Sequence, residues 1–162
     1  EALRDSILNV TGQLDSRMFG AGTLDESMRR RSIYFTIKRS KLIPMLQVFD
    51  VPEPLVSQGQ RPTTTVAPQA LLLLNNPHIR KYCEDGAKQL LKDSQDLTSL
   101  VTQLYQRTLS RQPTLSETEK SLVFLNQQTQ SYTDSGSNTP EEDAFADLFQ
   151  LVICLNEFCY IY

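Results

Sequence analysis

The sequence predicts a mainly α fold, with about five or six helices packed around an apolar C-terminal helix and an irregular or short-strand arm near the N-terminus. Three observations carry this. Ile79, Tyr82, Cys83, Gly86, Ala87, Leu90 and Leu91 recur at helical spacing and form one apolar stripe. Helix-start chemistry repeats along the chain: Asn76-Pro77, Thr114 with Glu117, and Thr139-Pro140 with Glu142. Residues 148–158 are apolar almost all round, the mark of a helix enclosed by its neighbours.

The elements follow in order. Leu3, Ile7, Val10 and Leu14 predict an opening helix over residues 1–14. No Ser, Thr, Asp or Asn precedes Glu1 as a cap, so the expectation is a chain cut from something longer. Gly12, Gly20 and Gly22 then mark a loop, and SIYFTIK (residues 32–38) favours a short strand or extended segment. A brief helix is expected after Pro44. Pro52, Pro54, Gly59 and Pro62 make the following stretch irregular, so residues 15–65 read as an arm and residues 66–162 as a helical core. Within that core, Thr65 is expected to cap a short helix carrying the Leu block of residues 71–74. Leu97, Leu100, Val101, Leu104, Tyr105 and Thr108 form another stripe, and Leu122, Leu125 and Tyr132 a further one. Residues 131–138 read as a polar loop before the last helix. The whole is expected to be a single domain.

Composition narrows the class. At 162 residues, 40% hydrophobic and 22% charged, the chain can bury a sizeable core. The net charge of −3 gives no overall basic field for nucleic acid. Arg29, Arg30, Arg31, Lys38, Arg39, Lys41 and Arg61 face only Asp50 and Glu53 between residues 29 and 61, so that region is basic and the remainder acidic. The Arg29–Arg31 cluster lacks stacking aromatics and a groove-reading helix, which excludes a nucleic-acid partner from the reading. The most apolar run, residues 148–162, is too short to span a bilayer and is broken by Gln150, Asn156 and Glu157, so no membrane insertion is expected. Cys83, Cys154 and Cys159 are odd in number and irregular in spacing, and read as free thiols.

Six ordered segments together resemble one family: EALRDSIL (1–8), RRRSIYFTIKR (29–39), MLQVFDVP (45–52), RPTTTVAPQALLLLNNP (61–77), LYQRTLSRQPTLSETE (104–119) and LVICLNEFCYI (151–161). They are similar to the C-terminal domain of unknown function of the large planctomycete cytochrome-c-associated proteins. The resemblance covers nearly all of this chain and the C-terminal part of that domain. It departs at Ser110, where the family usually has Gly, and at Cys154, commonly Leu or Asn. It implies a helical domain without established activity, upstream domains of the same polypeptide as partners, any haem in another domain, and an extracytoplasmic location.

Candidate chemistry is sparse. Haem attachment needs Cys-x-x-Cys-His, which is missing, and His78 is the one histidine. His78 with Cys83, and Cys154 with Cys159, are five apart on helices, which turns each pair about 140° apart and disfavours a zinc site. A hydrolytic triad would have to use His78, which is expected to be exposed at a helix start. Carboxylates are the stronger candidates. Glu157 is the lone charge in the last apolar helix and Asp50 ends an apolar element, so each is expected in a buried bridge to an arginine. The functional counterpart is a pocket of Asp50 or Glu157 with Arg39 and Arg61. Thr63, Thr64 and Thr65 with Arg61 could alternatively form an anion site at a helix N-terminus, and Gln69 and Asn75 are expected on backbone groups. The candidate ligand-binding residues are therefore Arg39, Asp50, Arg61, Thr65, Gln69 and Glu157, with no catalytic, metal or cofactor residue in this chain. The leading expectation is a non-catalytic structural or interaction domain of a larger exported bacterial protein. The alternative is part of a composite site for an anionic or carbohydrate substrate, completed by upstream domains.

Overall fold

The computed structural model describes the chain except for residues 53, 55, 56, 58, 61–63, 94, 95, 161 and 162 and the side chain of residue 93. Among the described residues it is mainly helical, with eight α-helices and no strand. The count exceeds the expected five or six because the brief helix after Pro44 forms and the expected last helix is split in two.

Helix α1 spans Ala2–Val10 and buries Arg4, Ile7, Leu8 and Val10. It stops before Leu14 because Gly12 takes a left-handed φ of 70°, which lets Gln13 N–H donate to Leu8 O (2.8 Å) and Gly12 N–H to Asn9 O (3.0 Å). That pattern is a Schellman stop, and a side chain at position 12 would also collide with Gln89 and Arg107. The arm follows. Of the short strand or extended segment expected over residues 32–38, no strand forms, and Phe35 is extended. Ser32–Tyr34 is a 3-10 turn, and beyond it only isolated bridges join Thr23 to Phe35 and Lys38 to Lys41. Asp5 takes the Ser32 N–H and Arg4 the Arg30 carbonyl, backbone groups that a strand partner would have used.

Helix α2, Pro44–Val48, buries Met45 and Leu46, and Leu46 joins Phe35 and Ile43 in a small second core under the arm. Helix α3 spans Ala67–Asn75. Its expected capping by Thr65 does not form. Val66 is the N-cap, and the Gln69 Oε1 accepts its N–H at 3.3 Å, the return half of a capping box that needs no side-chain acceptor on valine. Of the four leucines only Leu73 is fully buried, while Leu71 and Leu74 point to solvent because consecutive residues turn around a helix.

Asn76 Oδ1 accepts from His78 N–H (2.8 Å) and Ile79 N–H (3.3 Å), starting α4, Pro77–Asp93, as the sequence predicts. Its stripe Ile79, Tyr82, Cys83, Ala87 and Leu90 is buried. Gly86 lets α4 approach its neighbours, since a Cβ there would stand 3.0 Å from the Phe149 ring and 3.2 Å from the Thr11 backbone. Asp96 caps α5, Leu97–Leu109, whose Leu97 is exposed in the first turn while Leu100, Val101, Leu104, Tyr105 and Thr108 are buried. Ser110 closes α5 at φ 56°, the left-handed region where glycine is easiest. Thr114 and Glu117 complete a capping box at α6, Leu115–Asp134, which runs four residues into the expected loop.

Helix α7, Pro140–Ile153, is the centre of the packing. It touches α3, α4, α5 and α6, and buries Ala144, Phe145, Ala146, Leu148, Phe149, Gln150, Val152 and Ile153. Thr139 stands at its N-cap without a side-chain cap bond. Instead the Ser137 hydroxyl accepts from Thr139 N–H and donates to Asp143. The last helix does not run unbroken. It turns at Cys154 and restarts from an extended Leu155 as the short α8, Asn156–Cys159.

Candidate functional site

The five described candidates, Arg39, Asp50, Thr65, Gln69 and Glu157, separate into different neighbourhoods. Asp50, itself in left-handed backbone at φ 56°, accepts from the Thr64 N–H (2.6 Å) and the Thr64 hydroxyl (2.9 Å). Gln69 sits below this pair and donates to the carbonyls of Val48 and Thr64, both at 3.1 Å. Thus Asp50, Thr64 and Gln69 form one knot fastening the end of α2 to the start of α3. Thr65 is exposed beside it. The donors expected to receive an external anion at Thr64 are engaged by the chain's own carboxylate. Arg61 and Thr63, the other members of the expected anion site, lie outside the described residues.

Glu157 is elsewhere, and not buried. Its side chain keeps 45% of its exposure, because the break at Cys154 carries α8 off the apolar axis of α7. Its arginine is Arg111, at the turn between α5 and α6, rather than one from the arm. Arg111 Nε and Nη2 donate to Glu157 at 2.6 and 2.8 Å, Nη1 and Nη2 to Glu117 at 2.9 and 2.7 Å, and Nη1 to the Gln112 carbonyl at 3.0 Å. All five N–H donors of the guanidinium are used. The hydrogen bonds from Arg111 and the Thr114 N–H hold the Glu117 carboxyl down at about 2, and those from Arg111 lower Glu157 as well. Arg39 is exposed on the turn closed by the Lys38–Lys41 bridge.

Three clusters were not visible in the sequence. Arg4, with only 4% of its surface exposed, is the hub between α1 and the arm. Its guanidinium donates to Arg30 O (3.0 Å), Ser32 Oγ (3.2 Å) and Met28 O, and stacks 4.7 Å above the Phe35 ring. Burial pulls its pKa down from the ordinary arginine range, opposed by the nearby Tyr82 and Asp5. Arg30 performs the second fastening. It donates to the carbonyls of Arg17, Phe19 and Ala21 and lies 3.6 Å over the Tyr34 ring. The Tyr34 hydroxyl in turn accepts the Phe19 N–H at 2.7 Å. The third cluster joins α4, α6 and α7: Arg80 pairs with Asp147, which also accepts from Tyr132 at 3.0 Å, and with Glu84 at 3.2 Å. Burial, then the Asp147 carboxylate, raises the Tyr132 phenol. The one available signal for Arg4 was its place in the sequence, on the same helical face as Ile7 and Leu8, where a charge must find partners.

His78 is half-buried, not exposed, and lines a small cavity with Arg4 and Tyr82. Cys83, Cys154 and Cys159 are free thiols. Burial pushes Cys83 up to about 12 and Cys154 up to about 11, which removes them from nucleophilic work near neutral pH. Among the described residues no group of three His, Cys, Asp or Glu side chains could hold a metal ion. No described helix is long and apolar enough to cross a membrane.

Fold and side-chain clusters together define a helical domain whose prominent ionic groups fasten its own elements to one another. The chain belongs to the PSD1 family, described as "Protein of unknown function (DUF1553)", whose model matches residues 1–125. The match takes in the arm, helices α1 to α5 and half of α6; the segment LVICLNEFCYI lies beyond it. No curated protein and no solved structure matches the chain.

Proposed function

We propose that the chain is an interaction domain whose arm docks onto an acidic face of another protein domain, an upstream part of the same polypeptide. One observation carries this reading: the arm holds large apolar side chains in solvent on a backbone that is actively braced. Met18 is 68% exposed, Phe19 80%, Ile33 75% and Ile37 59%. Phe19 has a left-handed φ of 66°, an unfavourable conformation for a bulky residue. The Tyr34 hydroxyl and the Arg30 guanidinium hold it there. Burial within this chain repays neither the exposure nor the strain; contact with a partner does. Exposed Arg31, Lys38, Arg39 and Lys41 flank these side chains, so the matching surface is apolar at its centre and acidic at its rim. An extracytoplasmic setting is part of the proposal and rests on the resemblance alone.

The test is association of the chain with the upstream polypeptide supplied separately, measured by calorimetry at low and high salt. Phe19→Ser should weaken binding about 10-fold or more, as for a buried aromatic anchor. Lys38→Glu with Arg39→Glu should slow association and flatten its salt dependence. Unchanged affinity in both variants defeats the proposal.

The alternative is part of a composite site for an anionic or carbohydrate substrate, completed by upstream domains, for which Asp50 and Gln69 are the described candidates that stand together. Only the left-handed Asp50 favours it, because such backbone gathers at functional sites.

A further inference from the structure

We infer that the small, partly open cavity between the arm, α1, α2 and α4 is a built site for a single water molecule, which joins Arg4 and Tyr82 to the arm residue Glu26. The inference is independent of the docking reading. The cavity measures about 20 Å³ and is lined on its polar side by Arg4, Glu26, Asn76, His78 and Tyr82. That is room for one water and far too little for an organic ligand.

Hydrogen-bond accounting gives the guest its chemistry. Tyr82 is 4% exposed, and its hydroxyl is fully buried without a hydrogen-bond partner among the described residues. It lies beside the Arg4 guanidinium, within reach of its charge and of a loose side-chain hydrogen bond, but no direct bond of good geometry closes between them. Arg4 spends both Nη1 hydrogens on Arg30 O and Ser32 Oγ and one Nη2 hydrogen on Met28 O. Its Nε–H and second Nη2 hydrogen remain available. A buried hydroxyl of this kind is almost always satisfied by protein or ordered water.

Charge separates water from a small anion. The buried cation has Asp5 at 3.6 Å and Glu26 on the cavity wall. Arg31 approaches Asp5 from outside, at 3.9 Å, and is largely exposed. The positive charge of Arg4 is therefore already matched by carboxylates, and a second anion beside Glu26 would be repelled. Water fits both sides, accepting from Arg4 and Tyr82 and donating to Glu26.

A high-resolution crystal structure of the whole chain grown in bromide decides the matter. A solvent peak within hydrogen-bond distance of Tyr82 Oη and Arg4, without anomalous scattering, is the expected result. An anomalous bromide peak at that position, or no density there, overturns the inference. In solution, Tyr82 ring protons should show nuclear Overhauser contacts to a long-lived water. Tyr82→Phe should abolish that signal, and its persistence at full strength counts against the assigned role of the hydroxyl. Should the variant fail to fold, the wild-type spectrum alone decides, since absence of the contact is refuting.

Discussion

Replacing Arg111 with glutamine removes the clamp that joins the α5–α6 turn to α8. The wild-type guanidinium spends every donor there, on Glu117, Glu157 and the Gln112 carbonyl. Without it, two carboxylates face each other with no counter-charge. Glu117 sits at about 2, well below an unfolded glutamate near 4.3. At about 1.4 kcal/mol per pKa unit that difference has an upper limit of roughly 3 kcal/mol. Water screens this surface pair, which brings its share to ~1 kcal/mol. Losing the bond to the Gln112 carbonyl adds a further ~0.5 kcal/mol. The expected loss at neutral pH is about 1–2 kcal/mol, or roughly 2–6 °C in Tm for a chain of this size. The pH dependence has a definite sign. A carboxylate held below its unfolded value stabilises fully above that value, and the contribution disappears as pH falls through the folded one. The gap between wild type and Arg111→Gln should therefore be complete above about pH 5 and close between about pH 4.5 and 2. It should also shrink in roughly 1 M salt. Urea unfolding followed by circular dichroism measures it. A gap that is absent at neutral pH, or that stays constant into acid, refutes the reasoning.

Other outcomes follow from single contacts. Ser110→Gly relieves the left-handed end of α5 and should gain about 0.5–1 kcal/mol in thermal unfolding, whereas Ser110→Ala should gain nothing. Gln150 is buried and donates to the carbonyls of Leu73 and Leu74 at 2.9 Å, so Gln150→Leu should cost about 1–3 kcal/mol and loosen α3 first, as seen by amide exchange. With Cys83 near 12 and Cys154 near 11, the thiolate fraction of the latter at pH 8 is about 0.1%. Disulfide reagents should thus label these two thiols slowly in the native chain and rapidly in urea; fast native labelling of either contradicts the burial described.

What was legible in the sequence was mostly local. Asn76-Pro77 and the Thr114–Glu117 box act over three residues, and their geometry follows from spacing alone. The stripe of α4 and the central place of α7 were equally readable, since periodicity reports a buried face directly. Glu157 was misplaced because no Gly or Pro announces the break at Cys154, so a continuous apolar helix was expected there. Thr65 lost its capping role because the helix starts one residue later, at Val66, whose N–H is held by the Gln69 side chain. The hubs at Arg4 and Arg30 escaped notice because their acceptors are carbonyls of a distant loop, and carbonyls carry no residue-specific signal. The same limit hid the braced Phe19: a left-handed phenylalanine has no signature in composition.

The docking claim is tested most directly by a photo-reactive amino acid in place of Phe19 within the full-length polypeptide. The account predicts cross-links from this position to an acidic face of an upstream domain, lost when Lys38 and Arg39 are reversed to glutamate. Cross-links confined to residues 1–162, or none above the level given by a probe at exposed Leu115 on the helical body, contradict it.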